Sequence, residues 1–153
     1  MRMLELKIPP PLAAALMGLA MWAAGRAMPA VNIDATVRLP IALLCALFGV
    51  TVAVSGFSAF RRAGTTVSPT NPDGASAVVT GGIFRYTRNP MYLGLTSVLT
   101  GWAVWLSVPW LLLGPIVFVL FITRFQILPE ERVMSSNFGR DYDDYRKRVR
   151  RWL

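Results

Sequence analysis

The stretch Asn89–Thr123 reads NPMYLGLTSVLTGWAVWLSVPWLLLGPIVFVLFIT and contains no charged residue. A helix that crosses a bilayer needs about 20 apolar residues, so this stretch is too long for one span and suits two. Ser107-Val108-Pro109 supplies a turn near its middle, since serine and proline are typical turn residues. The sequence therefore predicts a hairpin of two transmembrane helices.

Two further uncharged stretches, Ile8–Gly25 and Leu39–Phe60, are each long enough to span a membrane. The chain is accordingly predicted to be an all-α, polytopic membrane bundle of about four transmembrane helices plus a C-terminal amphipathic helix. It would form a single domain over residues 1–153. The predicted spans are about 9–27, 39–60, 90–106 and 109–128, with a cytoplasmic loop at 61–89 and a cytoplasmic tail at 129–153.

The composition agrees with this class and narrows the chemistry. Hydrophobic residues make up 54% of the chain and charged residues 16%, against roughly 25% charged in soluble domains. The net charge is +8, but no segment has the basic surface of a nucleic-acid groove, so nucleic acid is not an expected partner. Cys45 is the only cysteine and histidine is absent, which excludes a disulfide framework, a zinc site and a histidine-based triad. No metal is expected.

The first apolar stretch has an alternative interpretation as a cleaved signal peptide. Arg2 and Lys7 precede it, and the small residues of Ala27–Ala30 follow it. Glu5 within the basic region and the run Pro9-Pro10-Pro11 favour a retained helix with a fixed entry.

Lysine and arginine predict the orientation of the spans, because cytoplasmic segments of membrane proteins are enriched in them. They concentrate between the second and third predicted spans and in the tail. Both termini and the long loop should therefore be cytoplasmic in a multi-pass protein of a bacterial inner membrane. The lipid bilayer is the expected partner.

Small residues recur at intervals of three and four in two of the predicted helices. Such faces let helix backbones approach closely. The second and third spans are therefore predicted to be neighbours. The residues are Ala42, Ala46, Gly49, Ala53 and Gly56 in one helix and Gly94, Ser97 and Gly101 in the other.

An apolar stripe also runs through the charged tail, which predicts an amphipathic helix. One interpretation is an interfacial helix whose aromatic face lies at the lipid headgroups. The other is a lid over a cytoplasmic site. The stripe consists of Met134, Phe138, Tyr142, Tyr145, Val149 and Trp152.

The loop and the tail together carry a longer pattern. Residues 80–94 read TGGIFRYTRNPMYLG, Glu130-Glu131 follows the fourth predicted span, and residues 138–145 read FGRDYDDY. In this order the three segments resemble the membrane methyltransferases of the isoprenylcysteine carboxyl methyltransferase and phospholipid methyltransferase superfamily. The resemblance covers about the last two thirds of the chain.

The resemblance implies a cytoplasmic pocket for S-adenosylmethionine and a lipophilic methyl acceptor that enters from the bilayer. Arg88 and Glu130 are candidates for a catalytic role, and no general base is assigned. A carboxylate such as Glu130 suits the hydroxyls or ammonium of the cofactor, and Phe84 or Tyr92 suits stacking on its adenine. The implied cofactor contacts are Ala77, Val78, Val79, Gly82, Phe84, Arg88, Asn89, Pro90, Met91, Tyr92, Glu130 and Glu131.

Two departures leave the acceptor open among a carboxylate, an amine and a thiol. Prenylcysteine members have histidine where this chain has Asn89. They also have a substrate-binding arginine at the position of Gln126, with Arg124 two residues away here. Gln126 and Arg124 are the candidate substrate residues, but an anionic acceptor would need a cation at position 126.

Two other functions stay open at this point. Membrane sterol and steroid reductases share a related C-terminal region, so an NADPH-dependent reductase of a lipid double bond is one alternative. A non-enzymatic membrane adaptor is the other, because the basic tail and its aromatic stripe suit contacts with lipid or a partner.

Overall fold

The computed structural model describes residues 5–64 and 77–153. Helix accounts for 76% of the structure and no strand occurs within those two ranges, so the all-α prediction is confirmed. A 3-10 turn, Gly82–Arg85, precedes α3, and a second one, Pro109–Leu112, precedes α4. The α-helices are α1 Pro10–Gly25, α2 Ala35–Arg62, α3 Pro90–Leu106, α4 Leu113–Ile122, α5 Leu128–Phe138 and α6 Arg140–Arg148.

Helices occupy all four predicted span positions, but only two of them are long and apolar enough to cross a bilayer. One is α2, with 28 residues. The other is the continuous helix Pro109–Phe138, with 30 residues, which consists of the second 3-10 turn, α4, a π-helical turn and α5. The helices α1 and α3 have 16 and 17 residues and are about 24 and 26 Å long, against a hydrocarbon core of about 30 Å. Among residues 5–64 and 77–153, two helices thus have the length and composition of a membrane span, fewer than the four predicted.

The helix α2 begins four residues before the predicted span because Asp34 caps it. The Asp34 carboxylate accepts hydrogen bonds from the backbone N–H of Thr36 at 2.8 Å and from its hydroxyl at 2.7 Å. Such a cap satisfies amides that the first helical turn leaves free. The predicted turn lies where expected, since α3 ends at Leu106 and Ser107 adopts a left-handed conformation with φ +56°.

The faces of small residues on α2 and α3 contact each other, as predicted. A methyl group at Gly49 would lie 2.5 Å from the carbonyl oxygen of Gly94, and one at Gly101 would lie 2.7 Å from the carbonyl oxygen of Ala42. The hydroxyl of Ser97 donates to the carbonyl oxygen of Cys45 at 2.9 Å. The two backbones are therefore in direct contact, which only residues without bulky side chains permit.

The tail does not form the single amphipathic helix that the apolar stripe predicts. Gly139 interrupts it with φ +51° and ψ −124°, far from helical values, and divides it into α5 and α6. The break turns α6 back so that Tyr142 and Tyr145 become buried against the loop before α3. The stripe therefore packs on protein, as the lid interpretation requires.

The segment that precedes α1 is bound to the π-helical turn Thr123–Ile127. The backbone N–H of Leu6 donates to the carbonyl oxygen of Phe125 at 3.0 Å, and the amide of Gln126 donates to the carbonyl oxygen of Ile8 at 2.6 Å. Arginines at 124 and 132 pair with the Glu5 carboxylate, and their hydrogen bonds lower its pKa. These contacts fix α1 beside the helix that carries Glu130.

The contact between α2 and α3 yields a stability prediction. Because the obstacle at Gly49 is backbone, Gly49→Ala must push the helices apart, and we expect its free energy of unfolding to fall by about 1–3 kcal/mol. Gly18→Ala is the control, since a methyl group there meets only ordinary contacts and gains up to about 1 kcal/mol of helix propensity. Unfolding in detergent measures both, and a Gly49→Ala protein as stable as Gly18→Ala would contradict the prediction.

Candidate functional site

The start of α3 and the start of α5 meet through one hydrogen bond. The hydroxyl of Tyr92, in the first turn of α3, donates to the carboxylate of Glu130, which lies 38 residues further along the chain. Tyr92 is only 4% exposed and Glu130 is half-buried. Within the described parts of the chain, Glu130 accepts no other side-chain hydrogen bond, so its carboxylate retains capacity for a ligand.

Beside this pair, the carboxylate of Glu131 lies between two arginines. Arg151 donates to it through Nε at 2.9 Å and Nη2 at 2.8 Å, and Arg88 approaches it with Nη1 at 3.0 Å. The side chains of Glu131 and Arg88 are 7% and 10% exposed. The two hydrogen bonds from Arg151 are bidentate and charge-assisted, and they raise the pKa of its guanidinium further.

The pairing of Arg88 is incomplete. Its Nη1 lies within ion-pair distance of Glu131 without the alignment of a hydrogen bond. Neither this nitrogen nor Nε has a hydrogen-bond partner among residues 5–64 and 77–153, although both atoms are buried. Buried donors of this kind are rare in folded proteins, and each calls for an explanation.

The C-terminal segment holds the loop that leads into α3. The backbone N–H of Arg88 donates to the carbonyl oxygen of Arg150 at 3.0 Å. The carbonyl oxygen of Arg151 accepts from the Asn89 amide at 2.8 Å and from the Thr87 hydroxyl at 3.3 Å. Thr87 is fully buried, and its hydroxyl oxygen also accepts from the backbone N–H of Asn89 at 3.2 Å.

An aromatic cluster, formed by Phe60, Phe84, Tyr142 and Tyr145, packs against the loop that leads into α3. The hydroxyl of Tyr145 donates to the carbonyl oxygen of Phe84 at 2.8 Å, and the ring of Phe84 meets Phe60 edge-on at 5.1 Å between centroids. Burial, together with the neighbouring Tyr142, raises the pKa of Tyr145 well above its ordinary value. Burial, with the Glu131 charge, also raises the pKa of Tyr142. Both phenols therefore stay protonated at neutral pH.

On the outer side of this cluster lies a cavity of about 490 Å³. Its volume is within the range of small-molecule sites, which is about 300–1,000 Å³. It is lined by Ala77, Val78, Thr80, Phe138, Asp141, Asp144 and Arg148. The cavity therefore lies between the end of the long loop and the two helices of the tail, α5 and α6.

The predicted cofactor residues fall into two groups in the structure. Ala77 and Val78 line the cavity, Val79 packs on the aromatic cluster, and Gly82 is exposed with φ +60°. Neither Phe84 nor Tyr92 presents an open face for stacking, because both rings are buried. The second group, which includes the candidate catalytic residues, lies at the starts of α3 and α5, with Pro90 and Met91 turned toward Gly56 of α2. It consists of Arg88, Asn89, Pro90, Met91, Tyr92, Glu130 and Glu131.

The two candidate substrate residues, Gln126 and Arg124, lie four and six residues before Glu130. Gln126 is fully buried and donates to the carbonyl oxygen of Ile8, and Arg124 pairs with Glu5 at 2.9 Å. Both side chains thus bind the N-terminal segment in this structure. Their role toward an acceptor stays a prediction.

For three residues of the site, the sequence alone does not show the contact that each makes. Arg151 stands in a basic run, where nothing in the sequence distinguishes the arginine that pairs with Glu131. Thr87 is an ordinary loop threonine by composition, and its burial depends on the C-terminal segment. Tyr145 was recognised as part of the stripe, but its hydrogen bond to Phe84 required the break at Gly139.

The described residues 5–64 and 77–153 are all-helical and include two helices long and apolar enough to cross a membrane, as expected of a membrane protein. The chain belongs to the phospholipid methyltransferase family, whose model matches residues 37–141. This match confirms the resemblance seen in the sequence. It implies methyltransferase activity in general and gives no support to the reductase or adaptor alternatives.

A relative from Haemophilus influenzae, described as an uncharacterized protein, is similar to part of this chain. The two are 48% identical over 65 residues, which is 41% of this chain and the whole of the relative. No solved structure matches the chain.

The hydrogen bond from Tyr145 yields a second stability prediction. Tyr145→Phe leaves the buried carbonyl oxygen of Phe84 without its donor, so we expect a loss of about 1–3 kcal/mol in the free energy of unfolding. Tyr86→Phe is the matched control because Tyr86 is exposed. Chemical unfolding in detergent compares the two, and equal stabilities would refute the structural role of the Tyr145 hydroxyl.

The bidentate ion pair between Arg151 and Glu131 yields a third stability prediction. Arg151→Gln removes two charge-assisted hydrogen bonds from the buried Glu131 carboxylate, which keeps its ion pair with Arg88. Because Arg151 is one third exposed, we expect the free energy of unfolding to fall by about 1–3 kcal/mol. Arg150→Gln should be neutral, since Arg150 contributes only its backbone carbonyl. If chemical unfolding in detergent shows both variants to be as stable as the wild type, the ion pair between Arg151 and Glu131 does not hold the tail in place.

Proposed function

We propose that the protein is an S-adenosylmethionine-dependent methyltransferase of the membrane that acts on a small lipophilic or lipid-linked acceptor. The observation that carries the proposal is the meeting of Glu130 and Glu131 with Arg88, Asn89 and Tyr92 at one place. These residues come from two segments that are distant in sequence, and the resemblance implied them as cofactor contacts.

The residues present fit the two charged ends of the cofactor's amino-acid moiety. The Arg88 guanidinium has buried donors without partners and would take the carboxylate. The half-buried Glu130 carboxylate, which holds only the Tyr92 hydroxyl among the described residues, would accept from the ammonium or a ribose hydroxyl. The cavity beside Ala77 and Val78 offers room for further parts of the ligand.

When bound, S-adenosylmethionine supplies a sulfonium methyl group, whose bond to sulfur breaks as a bond to the acceptor nucleophile forms. The chain contributes position: Tyr92 orients the Glu130 carboxylate, and Arg151 holds Glu131 beside Arg88. The chain has no histidine, so a protic acceptor must arrive deprotonated or lose its proton to a carboxylate or water.

The proposal includes a four-span arrangement with both termini and the site on the cytoplasmic side. The 17 residues of α3 equal the lower end of the range for membrane-spanning helices, and α1 is one residue shorter. The lysines and arginines near the site favour a cytoplasmic position. A lipophilic acceptor would then reach the ends of α3 and α5 laterally from the inner leaflet.

Cofactor binding tests the proposal directly. We expect purified protein in detergent to bind S-adenosylmethionine and its demethylated product in a calorimetric titration. Glu130→Gln should weaken binding by about ten- to a hundredfold, the equivalent of a lost hydrogen bond to a charged group. Asp34→Asn is the matched control, because Asp34 caps the distant start of α2 and asparagine also caps helices.

Two results would overturn the proposal. One is the absence of binding by wild-type protein that is folded, and the other is equal binding by wild type and Glu130→Gln. Incubation with membrane lipid extract and cofactor labelled at its methyl carbon then identifies the acceptor, as the lipid fraction that gains label.

A further inference from the structure

A second cavity lies between α1, α2 and α3. It has a volume of about 770 Å³ and its walls are apolar and aromatic side chains, without a charged residue. Leu19, Leu43 and Trp22 in its walls are largely exposed, so the cavity is a groove open to the surroundings. It is separate from the site at the start of α3.

Arginines stack on two of the tryptophans that line this groove. The guanidinium of Arg26 lies 5.2 Å from the ring of Trp22, and that of Arg38 lies 4.8 Å from the ring of Trp105. Arg26 follows the end of α1 and Arg38 lies in the first turn of α2. Both cations therefore stand at the same end of the groove, where the chain passes from α1 to α2.

Neither arginine is neutralised by a carboxylate in the described ranges 5–64 and 77–153. Asp34 is the one acidic residue between them in sequence, and its carboxylate binds Thr36. Arg38 donates to the uncharged hydroxyl of Ser107 at 3.1 Å. The mouth of the apolar groove thus carries two arginines against the single carboxylate of Asp34, which leaves a net positive charge there.

The dimensions and the position fit one leaflet of a bilayer. On α3 the groove extends over the eleven residues from Leu95 to Trp105, about 15 Å, which is half of a hydrocarbon core of about 30 Å. Trp105 lies thirteen residues beyond Tyr92, so the charged mouth is about 20 Å along α3 from the candidate site. In the four-span arrangement proposed above, on which this inference rests, the groove would open at the membrane face opposite the candidate site.

We propose that this groove binds an anionic phospholipid, with an acyl chain against the apolar walls and the phosphate between Arg26 and Arg38. Apolar walls with a cationic mouth complement such a lipid in both parts, and arginine suits phosphate oxygens. The proposal goes beyond methyl transfer. This lipid is a bound component at the far leaflet, distinct from the methyl acceptor.

Tryptophan quenching measures this binding, because Trp22 and Trp105 line the groove. Protein in detergent is titrated with phosphatidylglycerol brominated on its acyl chains, and with brominated phosphatidylcholine. We expect saturable quenching at lower concentrations of phosphatidylglycerol. Arg26→Gln and Arg38→Gln should each weaken it about fivefold. Arg62→Gln, at the other end of α2, should leave it unchanged.

A steric variant tests the groove without touching a charge or the Arg38 contact to Ser107. Ala15 is exposed and lines the groove, so Ala15→Phe should block the chain of either lipid, while Ala23→Phe, on the same helix but outside the walls, should not.

Equal quenching by the two lipids, or a loss with Arg62→Gln as large as with Arg26→Gln, would overturn the proposal in favour of unspecific attraction. Wild-type affinity in Ala15→Phe would overturn it as well. The cofactor titration tests the site at the start of α3, which is the other end of that helix. A negative result in that titration would therefore not change the interpretation of the lipid-quenching experiments.

Discussion

The backbone contact between α2 and α3 is the constraint on which the rest of the structure depends. Gly49 and Gly94 allow the two helices to touch, and Gly56 then brings α2 against Pro90, the first residue of α3. The loop before α3 must therefore lie over the end of α2, where Phe60 meets Phe84. A larger side chain along this contact would displace the start of α3, and with it Tyr92 and Arg88.

The positions of Glu130 and Glu131, at the start of α5, depend on a change of helical pitch. The π-helical turn Thr123–Ile127 precedes α5, and one extra residue in a helix rotates everything after it by about 100°. Glu130 thereby faces Tyr92, and Glu131 faces Arg88. Both chain ends stabilise this arrangement. The N-terminal segment binds Phe125 and Gln126, and the C-terminal segment binds the loop before α3.

The parts of this structure that follow a local pattern could be predicted from the sequence, and the parts that depend on three-dimensional proximity could not. Uncharged stretches predicted the positions of four helices, and small residues at helical spacing predicted that α2 contacts α3. The family pattern indicated Glu130 and Tyr92 but not their hydrogen bond. Arg151 is indistinguishable in sequence from the arginines around it. The break of the tail depends on the positive φ of Gly139, which a glycine permits but does not require.

The charges at the site indicate what kind of ligand would complete it. Two arginines on one carboxylate leave an excess positive charge at Arg88, and such a group is costly to bury unless an anion completes its pairing. Glu130, next to Glu131 in the chain, has the opposite need, since its carboxylate has one neutral donor among the described residues. A single zwitterionic ligand would satisfy both at once. The amino-acid end of the proposed cofactor has this property, whereas a purely anionic or purely cationic ligand would leave one of the two groups unpaired.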